Sequence, residues 1–371
     1  GANQTLNQED FLQSVCRCVE TTPTRGFHLS SNETIEKLGN KLWNNAHNFA
    51  GPVHCNLAFE EPFHTSLLQQ RTAWEKRDNK FLIAKRKSFQ EKDFVIEEFS
   101  TSKNLKFDPS SPGVVVVGPW RGLTDNLKAF NKTVNKWQKL TGWPIFADPL
   151  SGINSNQNGL IYNWDLLLSA GYVSSKNPLN ILRLGPLPTS KYLQDWLRKS
   201  EGKQILVTEG DKRYLDPLKL SKQWSYGFDL WIEHFYSLDE LLFENMNVQS
   251  KMFLDKLIYF DSLVGKWLEK QIKFKGHFTE PSIAHLLPQL VPENYNFMLS
   301  SSTPVRDWLV FGGSSALSRR CFGFRGASGI DGTLSLAMGL AHALGPLVLV
   351  SGDLALLHDS NGWLFAQSLQ P

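Results

Sequence analysis

Two stretches near the end of the chain combine residue types whose spacing could do chemistry. Arg325-Gly-Ala-Ser-Gly-Ile-Asp-Gly332 runs into a helical pattern of small residues, and the apolar run Leu347-Val-Leu-Val-Ser351 closes with Gly352-Asp353-Leu354. In an open α/β sheet, a glycine-rich turn that opens a helix presents backbone N–H groups to an anion, and an Asp just past the carboxyl end of a strand can hold a divalent cation. The pair reads as a diphosphate and metal site with Asp353 as the metal ligand. Plainer readings stand beside it: Gly352-Asp353 as a turn with a helix cap, and the glycines as an aid to tight helix–sheet packing. Arg325 favours the site, because packing has no need of a bidentate anion donor. Ser302 and Arg306 fall where a helix pattern starts after the strand pattern 295–300. Lys191 falls in a first helical turn, where the dipole opposes its charge unless an anion arrives. Each of these three also reads as an ordinary solvated residue at a helix start.

Other chemistries fail on spacing. Gly326-Ala-Ser-Gly-Ile330 begins like a nucleophile elbow, but Ile330 stands where a glycine belongs, so Ser328 is a poor hydrolase nucleophile. There is no phosphate loop ending Gly-Lys-Ser/Thr, no His-Glu-x-x-His, and the histidines are scattered. With no protein nucleophile in view, the residues point to a cofactor that brings its own reactivity.

The elements that would position these residues alternate strand and helix. Strand patterns fall at Val114–Val117, Pro144–Ala147, Asn180–Leu184 and Gln204–Thr208, with helix patterns over 123–140 and 190–199 between them. Such βα alternation predicts a parallel sheet. A mostly helical passage over 241–275, broken near 245–247, leads to a helix end at 286–290, the strand at 295–300 and a helix over 303–311. The run 347–351 is apolar enough to be a central strand buried on both faces. Toward the start, helices are expected around 7–20 and 31–48, followed by a short buried strand within Gly51–Leu57. The charged, poorly periodic passage 67–108 reads as a surface linker.

Composition narrows the class. In 371 residues, 41% hydrophobic and 20% charged residues with twelve Trp describe an ordered globular chain of two or three domains. A net charge of +3 is too small to imply a nucleic-acid partner. Cys16, Cys18, Cys55 and Cys321 have neither zinc-ribbon nor disulfide-framework spacing, and no apolar run approaches a membrane span. A soluble, cytoplasmic protein without a membrane partner is expected.

The octapeptide 325–332, Gly352-Asp353-Leu354 and the trailing Asp359-x-Asn361-Gly362 together resemble the thiamine diphosphate domain of the 2-succinyl-5-enolpyruvyl-6-hydroxy-3-cyclohexene-1-carboxylate synthase family. Gly1-Ala-Asn-Gln4 resembles that family's segment in the pyrimidine-binding domain. Gly51-Pro-Val-His-Cys-Asn-Leu-Ala-Phe-Glu-Glu-Pro62 resembles the domain's last strand and exit, and Thr189-Ser-Lys191 resembles a substrate-facing loop of the middle domain. The matches keep the family's order along the chain. Leu354 and the octapeptide favour this family over other thiamine enzymes, whose metal motif is Gly-Asp-Gly.

The resemblance implies an α/β thiamine diphosphate-binding fold of parallel sheets flanked by helices, with a Rossmann-like middle domain. The expected division is the end of the pyrimidine-binding domain over 1–66, a linker over 67–111, the middle domain over 112–276 and the start of the diphosphate-binding domain over 277–371. The implied reaction decarboxylates 2-oxoglutarate on thiamine diphosphate and adds the succinyl-semialdehyde unit to isochorismate, in menaquinone or phylloquinone synthesis. Carried over by position, Asp353 would ligate Mg2+ or Mn2+, Gly352 would let the backbone approach the diphosphate, and Ile330 would wedge the cofactor in its bent form. Arg325, Arg306, Ser302 and Lys191 would bind substrate carboxylates, with Gln4 facing the same pocket. Tyr192 departs from the family, where a basic residue is common. The glutamate that activates the aminopyrimidine and the distal metal-site asparagine are expected outside 1–371, making this an internal fragment of a homodimer or homotetramer that is inactive by itself, with no catalytic residue of its own. Two other readings stay open: a different thiamine diphosphate-dependent 2-oxoacid decarboxylase or carboligase, and a non-catalytic binding protein with a decayed site.

Overall fold

The computed structural model describes residues 8–22, 30–47, 51–57, 68, 72, 105–120, 124–209, 214–237, 247–275, 278–324 and 329–368. The chain divides into two compact units, one of residues 1–101 with 210–212 and one of 102–209 with 213–371.

In the first unit the helix α1 (Gln8–Gln13) precedes the strand β1 (Cys18–Thr21), and the helix α2 (Asn32–His47) leads to the strand β2 (Val53–Asn56). The strands pair parallel, Cys18 opposite Val53 and Thr21 opposite Asn56, so β1–α2–β2 is a crossover unit. The helix expected over 7–20 is corrected by this pairing. It ends at Gln13, the amides of Val15 and Cys16 close a turn on Leu12 O, and Val19 and Thr21 enter a sheet that suits β-branched side chains. Tertiary pairing outweighs the local periodicity there. The strand expected within 51–57 forms, half-buried rather than buried. Most of the passage read as a linker lies outside the described residues.

The second unit contains a five-stranded parallel sheet. In chain order its strands are β3 (Gly113–Val117), β4 (Ile145–Ala147), β5 (Asn180–Leu184), β6 (Gln204–Val207) and β7 (Lys222–Trp224), and in space they run β4-β3-β5-β6-β7. That is the 2-1-3-4-5 order of a doubly wound, flavodoxin-like sheet, whose switch point lies between β3 and β5. Helices α3 (Thr124–Thr141), α4 (Trp164–Ser169), α5 (Lys191–Lys199), α6 (Phe228–Phe235) and α7 (Val248–Lys275) accompany it. β3 is buried at every position, as a central parallel strand should be. Val114 and Val116 pack with Phe146, Trp164, Ile181, Leu193 and Leu257. An aromatic cluster of Phe107, Trp137, Trp143 and Trp231 adds edge-to-face contacts, with Trp137 and Trp143 rings 5.5 Å apart. The short elements α4, β7 and α6 have too few residues to show a period in sequence.

A buried ion pair braces this sheet. Arg183 on β5 is 1% exposed, and its Nη2 lies 2.9 Å from Asp216 Oδ1. Asp216 also accepts from the amides of Leu218, Leu220 and Ser221 and from Ser221 Oγ. Burial pushes the carboxyl up, but the bond and charge of Arg183 with the bonds from Ser221 outweigh it and bring Asp216 to about 2. A depressed folded-state pKa adds stability that is present above the unfolded value and lost as pH falls. Asp216 should therefore contribute on the order of 2 kcal/mol that disappears between about pH 4 and pH 2. Asp216→Asn should cost roughly 3 to 5 kcal/mol at neutral pH, because Arg183 is left buried and unpaired. Chemical denaturation across that pH range checks both. An acid-limb slope that is the same in the variant would show that another group controls it.

The remaining residues build a three-stranded parallel sheet ordered β10-β8-β9 from β8 (Asn296–Leu299), β9 (Cys321–Gly323) and β10 (Leu347–Val350). Its helices are α8 (Glu280–Leu290), α9 (Thr303–Phe311), α10 (Gly313–Leu317), α11 (Thr333–Leu344) and α12 (Asp353–His358), followed by a 3₁₀ run over Ser360–Ser368. β8 is the buried central strand, and Phe297 and Leu299 meet Val305 and Trp308. The expectation that 347–351 is a central strand buried on both faces is corrected. β10 is half-buried and pairs only with β8 among the described residues. All four cysteines are free, and no helix among the described residues is long and apolar enough to cross a membrane.

Candidate active site

The carboxyl ends of β8 and β10 emerge side by side, because the Ser300 amide donates to Val350 O at 3.0 Å. One end carries Ser300-Ser301-Ser302 into α9, and the other carries Ser351-Gly352 into α12. Two sequence candidates, Ser302 and Asp353, therefore share one rim of one sheet.

Ser302 has φ 78° and ψ −129°, a conformation that L side chains rarely adopt, and its hydroxyl makes no capping bond to α9. Holding a non-glycine residue there costs on the order of 1 to 3 kcal/mol, and such outliers concentrate where a side chain must be aimed at a ligand. A strand-to-helix turn of this kind lifts the residue clear of the strand end. Buried Val305, Trp308 and Leu309 anchor α9 and leave Arg306 exposed. The neighbouring Asp307 carboxyl is raised by burial and by Glu280, against the charge of Arg306.

Asp353 is the first residue of α12 and is exposed. Among the described residues its Oδ1 accepts one hydrogen bond, from the adjacent Leu354 amide at 2.8 Å. A Cβ added at Gly352 would meet nothing within 4 Å. Neither neighbour nor backbone demands glycine there, and the space in front of it is open.

The glycine-rich turn is described from Gly329 onward, so Arg325 lies outside the described residues, as does Gln4. Ile330 is half-buried and its carbonyl accepts from Thr333 Oγ1 at 3.0 Å. Gly332 takes a left-handed φ of 70° and starts α11. Within the first turn of α11, Ser335 already has an internal partner. Its amide and hydroxyl donate to the Asp359 carboxylate at 2.6 and 2.9 Å. An internal anion thus occupies that donor pair. Gly362 brings the 3₁₀ run against α11, and a Cβ there would sit 2.8 Å from Leu334 Cγ and 3.0 Å from Ser335 N. Gly362→Ala should therefore lower stability by about 1 to 3 kcal/mol through overpacking, read as a fall in thermal midpoint. An unchanged midpoint would mean that this contact opens freely.

Lys191 stands on the other sheet. It is exposed and opens α5 after β5, one of the two strands that flank the switch point. There the loops interlock: the Gly118 amide donates to Leu184 O at 2.9 Å, and a Cβ at Gly118 would fall on the Pro186 carbonyl. Ser190 caps α5 by accepting the Leu193 amide at 2.9 Å and donates to the buried carboxylate of Asp165. Burial pushes the Asp165 carboxyl up, and the Ser190 bond opposes that. Asp165 and Ser190 thus hold the helix start that presents Lys191. Sequence reasoning quoted Ser190 within the Thr189-Ser-Lys191 motif but missed Asp165 and the bond between them, since 25 residues separate the two. α4 packs against α5 and also against α9, so one short helix touches the elements carrying Lys191 and Arg306. Asp261 on α7 fixes the entry of α4 by accepting the Asn163 amide at 2.7 Å and its side-chain amide at 2.9 Å.

A family profile described as the middle domain of thiamine pyrophosphate matches residues 66–299, well over half of the chain. The chain belongs to the thiamine pyrophosphate enzyme family. It is 48% identical over 368 residues to the 2-succinyl-5-enolpyruvyl-6-hydroxy-3-cyclohexene-1-carboxylate synthase of Prochlorococcus marinus (strain NATL2A), covering 99% of this chain and 61% of that protein. It is 46% identical over 376 residues to the synthase of Prochlorococcus marinus (strain MIT 9313), covering 100% and 64%. It is 44% identical over 378 residues to the synthase of Synechococcus sp. (strain CC9902), again covering 100% and 64%. The chain spans 61–64% of the length of these relatives. The resemblance carried by the octapeptide and the Gly-Asp-Leu motif is borne out along nearly the whole chain.

Proposed function

We propose that this chain is part of a thiamine diphosphate-dependent carboligase that decarboxylates 2-oxoglutarate and adds the succinyl-semialdehyde unit to isochorismate, in menaquinone or phylloquinone synthesis. The observation that carries this reading is the similarity, 48% identity over 99% of the chain, to a synthase named for that product. We also propose a cytoplasmic homodimer or homotetramer, divided as 1–66, 67–111, 112–276 and 277–371.

Bound thiamine diphosphate would supply the carbon nucleophile, which no side chain here offers. Asp353 fits a metal ligand by its exposure, its spare carboxylate oxygen and the open space at Gly352. Among the described residues no three His, Cys, Asp or Glu side chains converge. Mg2+ or Mn2+, bound together with the diphosphate, would take Asp353 as one of its ligands. Ile330, half-buried before α11, would shape the cofactor. Ser302, Arg306, Lys191, Arg325 and Gln4 would bind the substrate carboxylates, a role suited to a basic, polar set.

The test measures 2-oxoglutarate consumption by the full-length protein carrying this chain, with and without isochorismate. Isochorismate-dependent consumption is expected. Turnover of simpler 2-oxoacids that ignores isochorismate would favour a different thiamine decarboxylase or carboligase.

A further inference from the structure

A cavity of about 1010 Å3 in the second unit lies between α3 and the loop that follows β4, and no residue of the β8 and β10 strand ends lines it. Lys128, Lys132 and Lys139 line it from the helix, and Asn154, Asn156 and Asn158 line it from the loop. The lysines fall at spacings of four and seven residues, so their charges run along one helix face over roughly 16 Å. None of them makes an ion pair among the described residues, and no acidic residue lines the cavity. Along the chain, Asp125 precedes Lys128 by three residues on the same helix, and Asp148, nine residues after Lys139, is fully buried.

The two walls are clipped together rather than merely adjacent. Asn131, 7% exposed, donates through Nδ2 to Leu127 O at 2.8 Å and to Gly152 O at 2.9 Å, and accepts the Asn154 amide at 2.8 Å. Gln157 donates to Asn135 Oδ1 at 3.3 Å, and Tyr162 holds the back of the loop through Ser155 O at 2.9 Å. These bonds use side chains that build the walls and leave the amides of Asn154, Asn156 and Asn158 exposed. The site is preformed, which lowers the entropic cost of binding.

We propose that this cavity binds a small phosphorylated, hydroxyl-rich anion, such as a sugar or polyol phosphate. Lysine ammoniums are point charges suited to phosphate. Side-chain amides both donate and accept, which matches hydroxyl groups. No aromatic side chain lines the cavity, so there is no platform for a base, and the chemistry disfavours nucleotides and single-stranded nucleic acid. The volume is at the upper end of small-molecule sites. This assignment is independent of the carboligase reading.

The experiment titrates the 371-residue chain by calorimetry with fructose 1,6-bisphosphate, glucose 6-phosphate, inorganic phosphate and a short RNA. Saturable binding of a sugar phosphate, at least about tenfold tighter than inorganic phosphate, is expected. Lys128→Gln with Lys132→Gln should weaken it by roughly tenfold to a few hundredfold. Asn156→Ala should weaken the sugar phosphates but not inorganic phosphate, which a purely electrostatic patch would not do. Equal affinity for all phosphates with a uniform salt dependence would overturn the proposal. So would RNA binding in preference to the sugar phosphates, or no binding at all.

Discussion

Arg306→Ala, made in the full-length protein carrying this chain, is expected to lower kcat/KM for a carboxylate substrate by roughly tenfold to a few hundredfold. A charge-assisted hydrogen bond contributes about 1.5 to 3 kcal/mol, and each 1.36 kcal/mol is a factor of ten. The fold should tolerate the change. Arg306 is exposed, whereas α9 is held by Val305, Trp308 and Leu309, which are 3%, 1% and 5% exposed. Thermal stability and thiamine diphosphate affinity should stay near those of the unaltered protein. Arg306→Lys should rescue only part of the loss, since lysine keeps the charge but lacks the planar fork. Arg325→Ala should behave alike. Steady-state kinetics with each substrate varied in turn would reveal the effect. Normal kinetics for both substrates in both alanine variants would remove the carboxylate roles and leave only family membership.

Asp353→Ala should have the largest effect on the cofactor. A metal ligand lost outright should weaken Mg2+-dependent thiamine diphosphate binding by about a hundredfold or more, beyond the roughly 10- to 100-fold typical of residues that only buttress a ligand. The cofactor-free protein should hardly notice, because the side chain is exposed and its one hydrogen bond among the described residues is from the next amide. A helix-capping role predicts the reverse, a stability loss of about 0.5 to 2 kcal/mol with cofactor affinity unchanged. Calorimetric titration with and without Mg2+ separates the two, and unchanged affinity would sink the metal assignment.

Much of this architecture is readable in sequence where the signal is local. Gly113–Val117 is a run of four valines after a glycine, and no helix pattern competes with it. The strand-to-helix passages at Ser300–Thr303 and Ser351–Asp353 carry their own punctuation, so Ser302 and Asp353 fall at strand ends as expected. What could not be read depends on partners distant in sequence. Cys18–Thr21 looks helical until Val53–Asn56 is placed beside it. The strain at Ser302 is a backbone angle with no residue-type signature. Asp359 was visible as part of a motif, but its bonds to Ser335 span 24 residues, and the Asn163–Asp261 bonds span 98. The cavity beside α3 also escaped notice, because lysines spaced along a helix read as a solvated face until the asparagine loop closes over them.

The central claim is that the rim carrying Ser302 and Asp353, with Arg306 on the helix that leaves it, belongs to an enzyme joining two polyanions, and the product tests it most directly. The full-length protein would be given thiamine diphosphate, Mg2+, 2-oxoglutarate and isochorismate, and the products would be separated and identified by mass spectrometry. The account predicts 2-succinyl-5-enolpyruvyl-6-hydroxy-3-cyclohexene-1-carboxylate, formed only when both substrates are present and lost in Asp353→Ala. Release of free succinic semialdehyde with isochorismate left untouched would contradict it.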